Sequence, residues 1–429
     1  MSAHGCPFRR PSGYRVSHAE KNEDPYFCGL SRPAQSAMVT GERGLGGRLE
    51  RFMAIASTLS GPAPSSEDWT TEKYDAFGVE LDSVHACVKE NLGPDDVAYV
   101  KNVRAMSRLS EVAGRALIHF SLDPVTWFAG VLALWGHHQL ETIEIGHSAL
   151  HGAWDSLEDA KEFHSSRFRW DTPIDEEAWK KEHNLLHHQY TNVVGRDPDL
   201  NYGLLRVTDD TSWVPYHLVQ LGQFFSTAPV FTWTIAMHAT GLTDLTHPSN
   251  DATYAASLPD KSFRTILRAL YATARKAVPY SLYEFAFWPA LAGPLWWKVL
   301  GGNVLADALR NVYSCATIYA GHFGDDLEYR PTDFRPRGRG RWYRMQVESA
   351  HDYAVPSWVS VLCGALDYQI EHHLFPKLPP NRLREIAPKV AAICERYGVR
   401  YGRKTWGDNL LAALRRLGRM SLPPALAVG

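Results

Sequence analysis

Four stretches of this chain are long and almost free of formal charge, as helices that cross a membrane are. The first is residues 211–243, which contain no Asp, Glu, Lys or Arg and exceed the roughly 20 residues that a helix needs to cross hydrocarbon. The others are 124–140 with the apolar residues 116–122 before it, 278–300, and 303–323. This pattern predicts an all-α fold, a multi-span membrane helical bundle with a helical cap on the cytosolic side. Buried helices of a soluble protein are the alternative interpretation.

The stretches differ in how strongly they predict a crossing. The one that ends at residue 140 fits either one long helix or a tight hairpin that turns at Asp123 and Pro124. The one that begins at residue 303 carries Asp307 and Arg310, so we expect it to be a helix surrounded by protein. The remaining two stretches then provide two crossings.

Composition divides the chain into three predicted regions. Residues 1–110 are polar and predict an N-terminal extension that ends in amphipathic helices, residues 111–405 predict the membrane domain, and residues 406–429 predict a C-terminal tail. Basic and apolar residues alternate from Tyr99 to Arg115, which is typical of a helix on lipid headgroups or of an ordinary solvated helix.

Charge and cysteine content exclude several classes of function. The net charge of −2 gives no indication of a nucleic-acid partner. The six cysteines form no C-x-x-C pair, so no iron–sulfur centre is indicated, and no G-x-G-x-x-G motif indicates a nucleotide cofactor. Mean hydropathy is only −0.28, so any membrane part must be confined to a few segments.

Histidines occur in three clusters: HSALH, HNLLHH and QIEHHLFP. Residues four apart lie on one face of a helix, so the first two clusters each predict a pair of converging imidazoles. Further histidines lie about 100° around the helix from these pairs, which favours a second metal beside the first. Imidazole ligands suit zinc, copper, iron or nickel. The predicted ligands are His147, His151, His183, His187, His188, His372 and His373.

All three clusters must meet to form one site, so an even number of crossings must separate the second cluster from the third. His322 lies at the end of the fourth stretch beside Asp325 and Asp326, and is predicted to be an eighth ligand. The arginines between residues 330 and 344 favour the cytoplasmic side of a membrane. We therefore expect a multi-pass membrane protein whose site faces the cytoplasm.

The order of these motifs resembles the integral-membrane fatty acid desaturases. The likeness is greatest to the front-end or linoleoyl-type branch, whose third box begins with Gln, here Gln369. It extends through QYTNVVGRDPDL after the second box and through HDYAVPSWVSVLCGALDYQIEHHLFPKLPPNRLREIAPKV, and it covers roughly residues 113–401.

The resemblance implies a non-haem di-iron enzyme that uses O2 and two electrons to insert a cis double bond into an acyl chain. The eight histidines then become iron ligands, and Gln369 is expected to bind beside the cofactor. The acyl chain would be carried on a lipid, on CoA or on acyl carrier protein. The whole chain resembles the bacterial members of the family, so the expected location is a bacterial inner membrane.

Two departures from the family pattern affect the expected partners and contacts. Ser148 stands where many relatives have Asp, so the hydrogen bonding around the first box is open. No HPGG motif of a fused cytochrome b5 domain occurs, so we expect electrons from a separate protein, a ferredoxin with its reductase or a free cytochrome b5.

Four other functions fit parts of this pattern. A hydroxylase, acetylenase or sphingolipid-type enzyme would use the same scaffold. A zinc-dependent membrane hydrolase needs about three histidines and an open position. A ferritin-like oxidase uses Glu-x-x-His pairs, which Glu144/His147 and Glu348/His351 match in spacing. A non-catalytic storage or sensing protein is the fourth.

Overall fold

The computed structural model describes residues 69–201, 205–247 and 251–424, and these residues are mainly helical. In chain order the α-helices are α1 (Thr71–Glu90), α2 (Pro94–Phe120), α3 (Pro124–Gln139), α4 (Ser148–Leu150), α5 (Glu176–Trp179), α6 (His188–Tyr190), α7 (Gln220–Thr227), α8 (Phe231–Ala239), α9 (Phe263–Leu282), α10 (Trp288–Leu291), α11 (Trp296–His322), α12 (Arg339–Glu348), α13 (Ser357–Leu362), α14 (Gln369–Leu374), α15 (Pro380–Tyr397) and α16 (Trp406–Ser421).

Other helical types occupy the junctions between these helices. π-Helical segments cover Leu140–His147, Lys180–His187 and Tyr283–Phe287. Short 3₁₀ turns cover Glu158–Phe163, Pro198–Asn201, Pro215–Val219, Ala228–Val230, Leu242–Thr246, Gly293–Leu295 and Leu366–Tyr368. Strands β1 (Asp352–Ala354) and β2 (Arg403–Thr405) pair in parallel, with Asp352 opposite Arg403. This small sheet is an element that the all-α prediction did not include.

The predicted multi-span membrane bundle is wrong: in the described part of the chain, no helix combines the length and the apolar character that a crossing requires. Prolines break two of the uncharged stretches, because proline lacks the N–H that continues a helix. The first is divided by 3₁₀ turns that contain Pro215 and Pro229. The third contains Pro289 at the start of a four-residue helix. The long helix α11 buries Asp307 and Arg310.

Helices α2 and α3 form the hairpin that was one of the two arrangements predicted around Asp123. The Asp123 carboxylate accepts a hydrogen bond from the backbone N–H of Thr126 at 2.9 Å and caps α3, with Pro124 at the first helical position. The two helices approach closely, since a Cβ added to Gly114 would lie 2.7 Å from the backbone nitrogen of Leu134. Arg115, near the end of α2, is buried against Glu284, so this side chain contacts protein, whereas Leu109, Val112 and Phe120 on the same helix are exposed.

Strand β1 holds the third histidine cluster in place. The Asp352 carboxylate accepts a hydrogen bond from the backbone N–H of Ile370 at 3.0 Å, at the start of α14, and another from the Tyr401 hydroxyl. The turn before α14 passes through Gly364, where φ is +67° and an added Cβ would lie 2.1 Å from a side-chain carbon of Ile143. Only glycine fits there, so the turn fixes α14 against the segment that carries the first cluster.

Candidate metal centre

The eight predicted histidines lie at the ends of four helical segments that meet at one buried point. The first two clusters lie where a π-helical segment passes into a short α-helix, at Leu140–His147 and at Lys180–His187. The third lies on α14, and His322 is the last residue of α11. A π-helix has a wider turn than an α-helix and is frequent at functional sites. The local helix type therefore determines where these imidazoles point.

The histidines fall into two groups that can each hold an ion. In the first group, one ligand atom from each of His147, His151, His183 and His372 lies within 4.8 Å of the others. In the second group the same holds for His187, His322 and His373. His183 and His187 therefore belong to different groups, although their rings stack at 5.1 Å and both also come within 4.8 Å of a carboxylate oxygen of Asp199.

His188 and Gln369 lie against these groups. The Nε2 atom of His188 is 3.2 Å from that of His183 in the first group, and its ring stacks on His373 of the second group at 4.4 Å. The side-chain amide of Gln369 lies 2.7 Å from the Nε2 atom of His322. Gln369 thus contacts a candidate ligand, as expected for a residue beside the cofactor.

The spacing of the ring nitrogens fits shared metal ions. Two nitrogens that bind one ion at ~2.1 Å each are separated by ~3.0–3.4 Å for ligand angles from ~90° to ~109°. The Nε2 atoms of His147 and His183 are 3.2 Å apart, and those of His322 and His373 are 3.4 Å apart. Other buried ring nitrogens at the site have no hydrogen-bond partner among the described residues: His147 Nδ1, His151 Nε2, His187 Nε2, His188 Nδ1, His322 Nδ1 and His372 Nε2. Buried polar atoms without partners are rare, so this donor set fits a metal centre.

Burial keeps most of these imidazoles neutral, which is the form that binds metals. It lowers the pKa of His147 and of His322 to about 3. It also lowers the pKa of each of the other histidines except one: His151, His183, His188, His372 and His373. A second proton on any ring would also be repelled by its neighbours.

His187 is the exception because it contacts carboxylates. Burial alone would lower the pKa of His187, but Asp197 and Asp199 raise it to about 9. The His187 Nδ1 donates a hydrogen bond to Asp197 at 2.9 Å, and the second oxygen of Asp197 accepts the backbone N–H of Asn192 at 2.8 Å. A carboxylate on one nitrogen orients the ring and makes the other nitrogen a better metal ligand.

Several residues that contact the ligands were not identified from the sequence. Gln346 on α12 accepts a hydrogen bond from His373 Nδ1 at 3.0 Å and donates one to the backbone carbonyl of His188 at 2.8 Å. The Trp179 ring stacks on His183 at 4.4 Å. Asp197 lies in the GRDPDL sequence after the second cluster, and that adjacency is a usable signal. Gln346 is far along the chain from the residues that it contacts, and only the fold brings it there.

His238 was also missed, because it lies within the stretch interpreted as a membrane crossing. Its Nε2 atom is 3.6 Å from a carboxylate oxygen of Glu182 and 3.8 Å from one of Asp199. Burial raises the pKa of Glu182 well above its usual value. These groups form a polar patch beside the second histidine cluster.

A largely apolar cavity leads to the histidines. His147, His183 and His322 line it, so both groups face it. The other walls come from the following residues: Thr142, Ile143, Trp170, Ile174, Trp179, Glu182, Asp199, Phe231, Thr232, Ile235, His238, Ala239, Ser314, Ile318, Tyr319, Phe323, Leu366 and Gln369. Its largely apolar lining suits an apolar ligand that contacts the histidines.

Part of the cavity wall is polar. Thr142, Thr232 and Ser314 contribute to this polar wall, and the fully buried Arg310 guanidinium donates a hydrogen bond to the Thr232 hydroxyl at 3.0 Å. Ser314 precedes His322 by eight residues on α11, which corresponds to ~12 Å at ~1.5 Å per residue. The position of Ser314 in the polar wall therefore lies ~12 Å along this helix from its histidine end.

The glutamates of the ferritin-like alternative point away from the histidine groups. Glu144 accepts a hydrogen bond from Tyr99 and pairs with Arg384 at 3.4 Å. Glu348 pairs with Arg330 at 2.8 Å and with Arg344 at 2.7 Å. These contacts are inconsistent with a Glu-x-x-His metal site.

Comparison with known proteins agrees with this geometry. The family model described as "Fatty acid desaturase" matches residues 124–405. The NADPH-dependent stearoyl-CoA 9-desaturase of Mycobacterium tuberculosis is 34% identical over 359 residues, which cover 82% of this chain and 81% of that protein. The acyl-lipid (7-3)-desaturase of Diacronema lutheri is 30% identical over 58% of this chain and 54% of that protein. The sn-1 linoleoyl-lipid 6-desaturase of Arthrospira platensis is 26% identical over 57% of this chain and 65% of that protein.

Proposed function

This chain belongs to the fatty acid desaturase family, and on that premise we propose that it inserts a cis double bond into an acyl chain with the help of two iron ions held by its eight histidines. The protein is an oxidoreductase. The observation that carries the proposal is the apolar cavity, whose wall includes histidines of both groups.

The reaction must remove two hydrogen atoms from neighbouring methylene groups. One acyl –CH2–CH2– unit, O2, two electrons and two protons give –CH=CH– and two molecules of water. A methylene has no acidic proton, so side-chain acid–base catalysis alone cannot remove its hydrogen, and a metal cofactor must supply the oxidising chemistry. Two irons bound to the histidine groups would supply the activation of O2.

The side chains of this protein position the acyl chain and exclude water. Ile143, Ile174, Ile235 and Ile318 form apolar walls along the cavity, so the chain is held against the histidines without a specific polar contact. A dry, apolar wall also protects the reacting carbons from side reactions with water.

We also propose that the polar wall formed by Thr142, Thr232 and Ser314 limits how much of the chain passes beyond the histidines. An extended alkyl chain advances slightly less than one C–C bond of ~1.5 Å per carbon. The ~12 Å between His322 and Ser314 would then hold about eight to ten carbons. Contact between the terminal methyl group and the polar groups of Arg310 and Thr232 is not favourable, so the acyl chain does not extend past these residues.

The two electrons are proposed to come from a separate protein. The chain carries no HPGG motif and no C-x-x-C pair, so its own sequence gives no sign of a second redox centre. The identity of the donor is open to test with a ferredoxin and its reductase or with a cytochrome b5.

The function is tested by expression in a host that lacks polyunsaturated acids, followed by mass-spectrometric mapping of double bonds in its lipids and acyl-CoA. A new cis bond that is absent with the His187→Ala variant supports the proposal. A bond nine carbons from the carboxyl group in acyl-CoA would match the named reaction of the Mycobacterium tuberculosis relative. A new hydroxyl group or triple bond would instead assign the hydroxylase or acetylenase reaction.

We propose in addition that the histidines lie on the cytoplasmic side of a cell. Cysteines introduced at Arg339 and Ser165 should resist an impermeant thiol reagent in intact cells and react after lysis. Labelling of both in intact cells would refute this placement.

A further inference from the structure

One surface pocket, called here the arginine pocket, lies directly beside the second histidine cluster. Its wall includes Gln189, Tyr190, Arg335, Arg339 and Trp342. The first two of these residues follow the candidate ligand His188 directly in sequence. The pocket is therefore a point where the protein surface comes within two residues of the metal centre.

The arginine pocket is strongly basic. Arg335, Arg337 and Arg339 are exposed, and Arg196 stacks on Tyr190 with its guanidinium carbon 4.9 Å from the ring centroid. Arg339 pairs with Asp82 at 2.7 Å. Within the described residues, Arg335, Arg337 and Arg196 form no ion pair with a carboxylate. An excess of positive charge therefore faces solvent here, and such a patch attracts an acidic partner over long distances.

Helix α12 joins the arginine pocket to the ligands. It begins at Arg339 in the pocket and carries Gln346 seven residues later, ~10 Å along the helix axis. Gln346 contacts the ring of His373 at 3.0 Å and the backbone carbonyl of His188 at 2.8 Å. A protein bound in the pocket at Arg339 would thus lie ~10 Å along α12 from Gln346, which contacts both of these histidines.

The acyl cavity does not use this surface. The residues that line the cavity and those that line the arginine pocket have no member in common. His183 and His322 face the cavity, whereas Gln189 and Tyr190, which follow His188, face the pocket. The acyl chain and a partner in the pocket can therefore be bound at the same time.

We propose that the arginine pocket is the docking surface for the electron donor, a small protein with a one-electron centre and an acidic face. The inference rests on the proposed function, because only a reaction that consumes two electrons needs such a partner. Each docking event delivers one electron and leaves the donor oxidised, so two events support one double bond. Charge complementarity mainly accelerates and orients the encounter.

The test compares two double charge reversals in the iron-loaded full chain. Arg335→Glu with Arg337→Glu alters the pocket, and Arg264→Glu with Arg268→Glu alters an exposed pair of arginines on α9 as a matched control. The probe is an acidic [2Fe–2S] ferredoxin kept reduced by its NADPH-linked reductase. A second measurement reduces the protein chemically without O2, removes the reductant, and then adds O2 and acyl substrate for one turnover.

The pocket variant should raise the KM for ferredoxin at least tenfold and weaken its dependence on ionic strength, with the KM for the acyl substrate and the single-turnover yield unchanged. The α9 variant should leave all of these values unchanged. Equal ferredoxin KM values for the two variants would overturn the proposal, as would turnover after chemical reduction but none with ferredoxin.

Two further outcomes separate this proposal from others. A raised KM for a substrate on acyl carrier protein, with an unchanged KM for ferredoxin, would assign the pocket to the substrate carrier and overturn the donor proposal. If the unaltered chain forms no double bond even after chemical reduction, the proposed function itself fails.

Discussion

Two buried polar regions of this protein satisfy their polar groups in opposite ways. In the histidine centre, ring nitrogens face other ring nitrogens at 3.2–3.4 Å. In a second region, called here the charged network, cations face carboxylates: Arg115 binds Glu284 at 2.9 Å, and Arg310 pairs with Asp307. Asp307 also accepts a hydrogen bond from the Tyr280 hydroxyl at 2.7 Å.

The difference shows which region needs a ligand from outside the chain. In the charged network each buried cation lies against a carboxylate, so burial of its charges is compensated within the protein, although the Nε atoms of Arg115 and Arg310 have no hydrogen-bond partner among the described residues. The histidine centre contains too many nitrogens without partners to be satisfied by the chain itself. Both regions are rich in titratable residues, so it is pairing that distinguishes a metal centre from a structural ion-pair network.

The largest expected effect comes from removing one ligand. His372→Ala should abolish desaturation and lower the iron content, because His372 belongs to the first group and lies 4.7 Å from His147, ring to ring. His138→Ala is the matched control, since His138 is equally buried but lies outside both groups. Equal iron loss in the two variants would remove the distinction between the regions. Metal analysis and double-bond mapping are the measurements.

Breaking the charged network should cost stability and leave metal binding intact. Glu284→Ala leaves the buried Arg115 guanidinium with only its longer contact to Glu111 at 3.6 Å, for a loss of about 3–5 kcal/mol in the free energy of unfolding. Glu177→Ala removes an exposed pair with Lys180 and should cost less than about 1 kcal/mol. Urea unfolding measures both. Loss of iron from folded Glu284→Ala protein would show that the network supports the metal directly.

Loss of a carboxylate that orients a ligand should have an intermediate effect. Asp197→Asn should weaken metal affinity about 10–100-fold, because the His187 Nδ1 then faces a neutral amide. Asp209→Asn, at an exposed position, serves as control. Competition with a chelator gives the affinities. An unchanged affinity for Asp197→Asn would show that His187 does not bind the metal.

The metal-free protein should lose stability gradually with acid. The folded-state pKa values of His147 and His322 are about 3, below the ordinary value of 6.5, so the unfolded state binds more protons between these limits. The contribution of these two histidines to stability is therefore complete above pH 6.5 and falls as the pH decreases towards 3, by about 1.4 kcal/mol per pH unit for each of them. Iron-loaded protein should lose stability at least as steeply, because metal binding also requires unprotonated rings. Urea unfolding across this range with and without iron is the measurement, and a metal-free protein whose stability does not fall below pH 6.5 would contradict the prediction.

The metal site was more predictable from sequence than the fold around it. The histidine spacing and the order of the three clusters are local properties, and they led to the residues that the structure brings together. The contacts of Gln346 and His238 depend on segments that are distant in sequence. The domain boundaries at residues 110 and 405 remain predictions.

The membrane prediction failed for a physical reason. Absence of charge does not guarantee a continuous helix, and Pro215 and Pro229 break the first stretch into short elements. The fourth stretch is different, because Asp307 and Arg310 predicted a helix surrounded by protein, and in α11 both side chains are buried and pair with each other. Hydropathy averaged over a window does not detect the breaks that the prolines cause.

The π-helical segments that carry the first two clusters have a consequence for protein engineering. If the HSALH motif were copied onto a regular α-helix, its residues would be retained, but the wider π-helical turn that ends at His147 would be lost. Deletion of a single residue from Leu140–His147 would restore α-helical geometry and rotate the preceding residues by about 100° relative to the histidines. Transplanting this centre into a designed scaffold therefore requires copying the backbone irregularity together with the ligands.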